Sequence, residues 1–181
     1  MDLSQAQLLR DLLADTGWVE QTQDFARSLR TNTRTPGGLM LVGPPKAEPW
    51  HLTAHLDDES RWSHLPELAP TLVRWEPPPG VPPHLAIGLD RLTEARRGES
   101  LLVVSEEAAP VPLLERVDDV RRRGARIFAL DTGDPELSSL AHDTLSLELE
   151  DEPLLSFDSA QHLVSLAAGA VSYTHLRAHE T

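Results

Sequence analysis

Two short apolar runs, LLVV and ARIFAL, are separated by one amphipathic segment, and this arrangement restricts the possible folds more than any other feature of the chain. The runs occupy residues 101–104 and 125–130, a length typical of buried strands. Between them apolar residues recur at helical spacing from Leu113 to Val120, and Gly124 provides a typical helix stop. This order predicts a parallel pair of strands, because parallel strands require a crossover connection.

Similar patterns predict three more strands, at residues 39–43, 71–75 and 144–150. Further helices are predicted at residues 3–15, 19–29, 50–62, 84–97, 134–142 and 159–168. We expect Asp134 to cap the helix that it begins, because its side-chain oxygens can accept hydrogen bonds from free backbone amides. The predicted fold class is therefore α/β, with a five-stranded, mostly parallel sheet, helices on both faces and flavodoxin-like layering.

The domain organisation follows from length and from the distribution of proline. A chain of 181 residues fits one hydrophobic core. Eleven of the 15 prolines lie between residues 36 and 83, which excludes one long element there. We predict N-terminal helices over residues 1–34 and one α/β domain over residues 35–170. The last segment, VSYTHLRAHET, resembles a translated sequencing adapter, so residues 171–181 are interpreted as a non-native tail.

Charge and composition exclude several classes of function. The chain has 29 acidic and 16 basic residues, and its net charge of −13 has the wrong sign for binding nucleic acid or an anionic membrane. The absence of cysteine excludes disulfides and thiolate catalysis. No apolar run approaches the length of a membrane span and no signal peptide is visible, so we predict a cytoplasmic protein. No cofactor is predicted.

A metal site is also not predicted. His51 and His55 are four residues apart on a candidate helix and are followed by three acids, a spacing that would suit a metal ion. However, the glutamate of an HExxH motif is missing. We interpret these histidines as part of a polar helix face.

The candidate binding site lies where the predicted strands end. In an open α/β sheet, ligands bind in the crevice beyond the carboxyl ends of the strands. This rule selects the loops after three predicted strands, and the candidate ligand-binding residues there are Gly43, Ser105, Glu106, Asp131 and Thr132.

The central half of the sequence, LLVVSEEAAPVPLLERVDDVRRRGARIFALDTGDPELSSLAHDTLSLEL, resembles the sugar isomerase (SIS) family. The similarity extends over about residues 18–169, with LMLVG in the place of the first, glycine-ended strand of the family. The resemblance implies a five-stranded parallel sheet, a sugar derivative as ligand and a homo-oligomer that associates through helices.

The loop that would hold a phosphate differs from the family pattern. Members that bind phosphosugars carry approximately S-x-S-G-x-T after the central strand, whereas this chain carries SEEAAP. Ser105 is retained, but Glu107, Ala108 and Pro110 replace the second serine, the glycine and the threonine. Carboxylates beside a phosphate would repel it by an energy on the order of 1 kcal/mol or more. We therefore predict a carbohydrate-derivative-binding or regulatory domain without isomerase activity.

Two alternatives remain open. The first is an enzyme of the sugar-phosphate isomerase type, in which Glu106 or Glu107 acts as the base and a nearby histidine as its partner. The second is a non-catalytic protein that dimerises and presents an acidic surface to a basic partner. Turnover of a phosphosugar would favour the first alternative, and salt-sensitive association without ligand binding would favour the second.

Overall fold

All five predicted strands are present in the computed structural model, which describes residues 3–147 and 155–178. They form one sheet with the order β2-β1-β3-β4-β5, in which every neighbouring pair is parallel. The strands are β1 (Leu39–Val42), β2 (Pro70–Leu72), β3 (Ser100–Ser105), β4 (Arg126–Asp131) and β5 (Asp143–Ser146). The α/β fold class is confirmed, and the sheet is wholly parallel rather than mostly so.

Helices cover both faces of the sheet. They are α1 (Leu3–Leu13), α2 (Trp18–Asn32), α3 (Trp50–Trp62), α4 (Asp90–Thr93), α5 (Val111–Arg122), α6 (Pro135–Leu140) and α7 (Phe157–Ala178). Short 3₁₀ helices lie at Ala14–Thr16, Pro66–Leu68 and Pro83–Leu85. The two opening helices and the helix at residues 50–62 are therefore confirmed.

Successive strand residues point to opposite faces of the sheet, and both faces are buried. On one face, strand residues such as Leu102 and Phe128 share a core with side chains from α2, α3 and α7. On the other, residues such as Val103 and Ile127 pack with side chains from α4, α5 and α6. This arrangement explains why the central strands read as continuous apolar runs.

The start of α6 confirms the predicted cap. Asp134 Oδ1 accepts hydrogen bonds from the amides of Glu136 and Leu137 at 3.0 and 3.2 Å. The helix ends at Leu140, two residues before the predicted end, because the amide of His142 donates to the carbonyl of Ile127 and begins the approach to β5.

The predicted helix at residues 84–97 is wrong. The segment contains only the 3₁₀ turn Pro83–Leu85 and the four-residue α4. Between them, Arg74 donates its amide to the carbonyl of Ile87 at 2.9 Å and forms a parallel bridge with Gly88. This pairing holds residues 87 and 88 beside the chain that follows β2. The segment is therefore not helical there, although its leucines have helical spacing.

The end of the chain differs from the prediction in length. The helix expected at residues 159–168 is α7, whose backbone continues to Ala178 and so enters the segment that begins at residue 171. The strand expected at residues 144–150 is observed to Ser146, and residues 148–150 lie outside the described residues. In the described parts of the chain, no helix has the length and apolar character needed to cross a membrane.

Candidate functional site

The topology brings the five predicted site residues to one edge of the sheet. Ser105 and Asp131 are the last residues of β3 and β4, and they are register partners. Glu106 and Thr132 follow them directly, and Gly43 follows β1, which pairs with β3 on its other side. The structure thus forms a common edge from residues that are up to 89 positions apart in the sequence.

Hydrogen bonds within the protein close the loop that follows β3. Ser105 Oγ donates to the carbonyl of Glu107 at 2.6 Å, and Thr132 Oγ1 donates to the carbonyl of Glu106 at 2.7 Å. The amide of Ala109 donates to Asp134 Oδ2 at 2.8 Å. Two hydroxyl groups and one amide that could donate hydrogen bonds to an anion therefore donate to acceptors within the protein. The acceptor for the amide is itself a carboxylate.

Asp131 is fully buried beneath this edge. Its Oδ1 accepts hydrogen bonds from Ser146 Oγ at 2.6 Å and from the amide of Gly133 at 3.1 Å. Its Oδ2 is buried without a hydrogen-bond partner among the described residues. The carboxyl group thus ties β4 to β5 and to the turn before α6.

Gly43 allows the backbone to pack closely at the end of β1. A Cβ at this position would lie 2.6 Å from the carbonyl oxygen of Ala47 and 2.9 Å from that of Val104. The carbonyl of Gly43 accepts a hydrogen bond from Trp75 Nε1 at 2.7 Å. Glycine is therefore required here because the loop 44–49 folds back against the sheet edge.

A cluster of charged and aromatic side chains holds that loop. Glu48 Oε2 accepts a hydrogen bond from the amide of Trp75 at 3.2 Å, and Glu48 Oε1 lies 3.6 Å from Arg74 Nε. The guanidinium carbon of Arg74 lies 4.5 Å from the centroid of the Trp50 ring. Trp50 is thus supported by a cation–π contact at the first residue of α3.

An open cleft of about 320 Å³ lies beside these loops. It is lined by the end of β3, the loop before α3, and the first turns of α3 and α7: Ala47, Glu48, Pro49, Trp50, His51, Val104, Glu106, Phe157, Asp158 and Gln161. Of the predicted site residues, Glu106 lines the cleft. Sequence reasoning missed the contribution of α7, because no local signal shows which face of a distant helix returns to the sheet edge.

His51 lines the cleft, and two further histidines lie along the same two helices. His51 Nδ1 lies 3.1 Å from Asp158 Oδ1, and both side chains are exposed. Further along α3 and α7, the ring centroids of His55 and His162 are 4.1 Å apart. Burial, and then the nearby His55, lower the pKa of His162. Within residues 3–147 and 155–178, no group of three or more histidines and carboxylates is arranged to hold a metal ion.

Three solved structures share the fold. A protein assigned as a phosphosugar isomerase from Silicibacter pomeroyi DSS-3 is 17% identical with a TM-score of 0.57, over 94% of this chain and 49% of that one. One from Salmonella typhimurium LT2, also assigned as a phosphosugar isomerase, is 10% identical with a TM-score of 0.57, over 86% and 44%. A protein assigned to sugar binding from Salmonella typhimurium LT2 is 14% identical with a TM-score of 0.50, over 91% and 50%.

These similarities confirm the resemblance to the sugar isomerase family at the level of the fold. The chain spans about half the length of the solved proteins that it matches. No protein-family model matches the sequence, and no curated protein matches it. The chain is thus an α/β domain with the fold of phosphosugar isomerases.

Proposed function

We propose that this domain binds a sugar without a phosphate group, preferably an amino sugar, and that it lacks isomerase activity. The observation that carries the proposal is the closed loop after β3. The hydroxyls of Ser105 and Thr132 and the amide of Ala109 donate hydrogen bonds to the protein itself, and the acceptor for the amide is the carboxylate of Asp134. A phosphate would have to displace these bonds and approach several carboxylates.

The lining of the cleft supports an amino sugar as the ligand. Glu48, Glu106 and Asp158 line the cleft. The carboxylates of Glu106 and Asp158 can accept hydrogen bonds from hydroxyl groups or from an ammonium group, whereas that of Glu48 is paired with Arg74. Trp50 offers an aromatic surface for the apolar face of a pyranose ring. Ligand sites of this size commonly combine apolar surface with a few placed polar groups.

The solved structures with this fold support a sugar as the ligand class, since two are assigned as phosphosugar isomerases and one to sugar binding. Their phosphate chemistry is not carried over to this chain, because SEEAAP stands where the family pattern carries hydroxyl and glycine residues. The proposed ligand is therefore a sugar that carries no phosphate group.

Calorimetric titration with glucosamine and with glucosamine 6-phosphate tests the proposal. We expect glucosamine to bind and its phosphate to bind at least about tenfold more weakly, which corresponds to a repulsion of about 1.4 kcal/mol. Trp50→Ala should abolish glucosamine binding. Trp62→Ala is the matched control, because Trp62 lies at the other end of the same helix, is 68% exposed and does not line the cleft.

Tighter binding of the phosphorylated sugar would contradict the proposal, as would equal loss of binding in the two tryptophan variants. Glu106→Gln adds a further test. Removing this charge should weaken glucosamine binding and reduce the preference against its phosphate. An unchanged preference would show that Glu106 does not face the ligand.

One observation favours a catalytic alternative: Glu106 and His51 line the same cleft. A carboxylate and an imidazole so placed could move a proton between adjacent carbons of a sugar, as aldose–ketose isomerisation requires. Incubation with glucosamine 6-phosphate in D₂O, followed by NMR, would reveal deuterium exchange at a ring carbon. Exchange that is lost in Glu106→Gln and kept in Glu107→Gln would establish the enzymatic reading, because Glu107 does not line the cleft.

A further inference from the structure

A second groove, of about 290 Å³, lies at the opposite edge of the sheet. It is formed where β3 and β4 begin, and its lining residues are Asn32, Arg34, Arg97, Gly98, Glu99, Gly124, Ala125, Arg126 and His142. Because β3 is six residues long, this groove lies roughly 20 Å from the candidate sugar cleft. Three of its residues are arginines and one is acidic, although the whole chain carries a net charge of −13.

The acids near the groove are already paired. Glu99 is almost fully buried, and its carboxylate lies 2.7 Å from Arg91 Nη2 and also accepts a hydrogen bond from the amide of Arg96. Asp143 Oδ2 accepts hydrogen bonds from Arg126 Nη2 at 3.1 Å and from Ser28 Oγ at 3.1 Å. These carboxylates therefore have partners of their own.

Arg34 and Arg97, by contrast, form no ion pair with any described residue. Arg126 uses Nε and Nη2 on Asp143, which leaves its Nη1 without a hydrogen bond to the described chain. The groove thus has a surplus of positive charge. The exposed guanidinium groups of Arg34 and Arg97 have no carboxylate partner among the described residues to offset their repulsion from each other and from Arg126, and a bound anion would offset it.

The backbone around these arginines is fixed. The amide of Arg34 donates to the carbonyl of Gly98 at 2.9 Å, which joins the end of α2 to the turn before β3. Arg97 lies against Gly124, where a Cβ would come within 2.8 Å of Arg97 Cγ. Gly124 also has a φ of +96°, a conformation that disfavours other residues. The missing side chain at position 124 therefore leaves space that the Arg97 side chain occupies.

His142 provides a neutral polar group at the same place. Its Nδ1 accepts a hydrogen bond from the amide of Ile127 at 2.9 Å, so the proton of the neutral ring is on Nε2. Burial, followed by the positive charges of Arg126 and Arg121, lowers the pKa of His142. The direction of this shift agrees with a positive potential in the groove.

We propose that this groove binds the diphosphate group of a small molecule through Arg34, Arg97 and Arg126. The planar guanidinium group matches phosphate oxygens with paired hydrogen bonds, and three such groups provide more donors than one phosphate needs. The volume of the groove accommodates two linked phosphates in an open site. The site is separate from the proposed sugar cleft and does not depend on it.

Calorimetric titration with sodium pyrophosphate at low ionic strength tests the site. We expect a Kd in the millimolar range or tighter, which weakens as salt is added. Arg34→Gln and Arg97→Gln should each weaken binding about tenfold. Arg97→Lys should recover part of the loss, since it restores the charge but not the planar fork. Arg116→Gln, an exposed substitution on α5 outside the groove, should leave the Kd unchanged.

The NMR signal of His142 gives an independent readout. Pyrophosphate bound beside the ring should raise the pKa of His142, because a nearby anion stabilises the imidazolium form. The shift should disappear in Arg97→Gln. If a nucleoside diphosphate binds no tighter than pyrophosphate, the groove recognises the diphosphate group alone. If the nucleoside diphosphate binds more tightly, and Arg34→Gln and Arg97→Gln abolish that binding, the ligand of the groove is a nucleotide.

The absence of any heat or His142 shift at millimolar pyrophosphate would overturn the proposal. Equal affinities of wild type, Arg34→Gln and Arg97→Gln would also overturn it. Glucosamine binding by the arginine variants keeps this result separate from the sugar proposal, since the two grooves lie at opposite edges of the sheet.

Discussion

Asp131 shows how one buried side chain can hold the candidate site together. It accepts hydrogen bonds from Ser146 on β5 and from the amide of Gly133, and it lies beside Ser105 in the sheet register. The loops after β3 and β4 also bond to each other through Thr132 and Asp134. The edge of the sheet is therefore one connected hydrogen-bonded unit rather than a set of independent loops.

Replacing Asp131 with alanine tests this role. The substitution leaves the hydroxyl of Ser146 and the amide of Gly133 without their acceptor in a buried site, so we expect the free energy of unfolding to fall by about 2–4 kcal/mol. Urea denaturation measures the change. Asp131→Asn keeps one acceptor and should lose less. Glu106→Ala, at an exposed position, should change the stability by no more than about 0.5 kcal/mol. Similar losses in Asp131→Ala and Glu106→Ala would contradict a structural role for Asp131.

At the residue scale, the sequence predicted which residues lie at the carboxyl edge of the sheet better than it predicted their contacts. The rule that ligands bind at strand ends selected Gly43, Ser105 and Asp131, and all three lie at the carboxyl edge. The sequence could not predict the hydrogen bonds of Ser105 and Asp131, because their partners are set by the backbone conformation of the loops that follow β3 and β4. Nor does the sequence show that Trp50 lines the cleft, because its place there depends on the packing of Arg74 against its ring.

At the scale of elements, the packing of α7 against α3 completes the cleft. Gly169 on α7 allows this approach, because a Cβ there would overlap Glu59 Oε2 and would lie 3.1 Å from Ser63 Oγ. The carbonyl of Gly169 also accepts a hydrogen bond from Ser63 Oγ at 3.3 Å. Close contact at this point positions the start of α7, which supplies Phe157, Asp158 and Gln161 to the cleft.

A double-mutant cycle measures the contact between the two helices. Gly169→Ala alone should lower the free energy of unfolding by about 1–3 kcal/mol, because the new methyl group must displace the Glu59 carboxyl group. In a Glu59→Ala background the same change should be neutral or should stabilise the protein by up to about 1 kcal/mol, since alanine is the better helix former. Additive effects in the cycle would show that Gly169 and Glu59 are not in contact.

Glu59 also predicts a dependence of stability on pH. Burial, and then the nearby Asp58, raise the pKa of Glu59 above its ordinary value of 4.5. The folded state therefore binds the proton more tightly than the unfolded state does. The resulting stabilisation is present below about pH 4.5 and is lost as the pH rises through the folded-state pKa.

Glu59→Gln should therefore raise the melting temperature at pH 7, because the variant buries a neutral amide where burial disfavours the ionised form of the Glu59 carboxyl group. The difference between variant and wild type should shrink as the pH approaches 4.5, the ordinary pKa of the group. Thermal unfolding followed by circular dichroism across this range measures it. Glu20→Gln, on the exposed face of α2, is the control. Asp57 on α3 is unsuitable as a control position because it pairs with Arg61. A variant less stable than wild type at pH 7 would contradict the prediction.

Elements were predicted well where local signals and tertiary packing agree. The unit of β3, α5 and β4 has matching periodicity, length and stop residues, and it was identified correctly. The helix expected at residues 84–97 failed for the opposite reason. Its leucines have helical spacing, but Arg74 recruits the backbone near Ile87 and Gly88 into a parallel pairing that no local pattern reveals.

At the scale of the whole molecule, the two ends of the sheet have opposite chemical character. Glu48, Glu106 and Asp158 line the cleft at the carboxyl edge, whereas Arg34, Arg97 and Arg126 line the groove at the amino edge. The net charge of the chain argued against binding of nucleic acid or an anionic membrane. A net charge does not show where the charges lie, so it could not reveal the groove lined by arginines. Distribution of charge over the fold, rather than its sum, decides which small ligands each edge can accept.

The predicted homo-oligomer belongs to this scale. On α1, Leu8 and Leu12 lie four residues apart on one helix face and are 61% and 59% exposed, whereas Leu3 lies on the opposite face and is 77% exposed. We expect α1 to contribute to self-association, because burying these side chains would remove apolar surface from water at about 25 cal/mol per Å². Light scattering coupled to size-exclusion chromatography should give a mass that is a multiple of 20.0 kDa.

Substitution of Leu8 and Leu12 by glutamate should reduce that mass to 20.0 kDa, since carboxylates cannot be buried in an apolar contact. Val111→Glu is the control, because Val111 is similarly exposed at 64% but lies on α5, distant in sequence from α1. A monomeric wild type would refute self-association. An oligomer that survives the double substitution would refute the role of α1, and in that case the helices on the sheet faces would be the elements to substitute next.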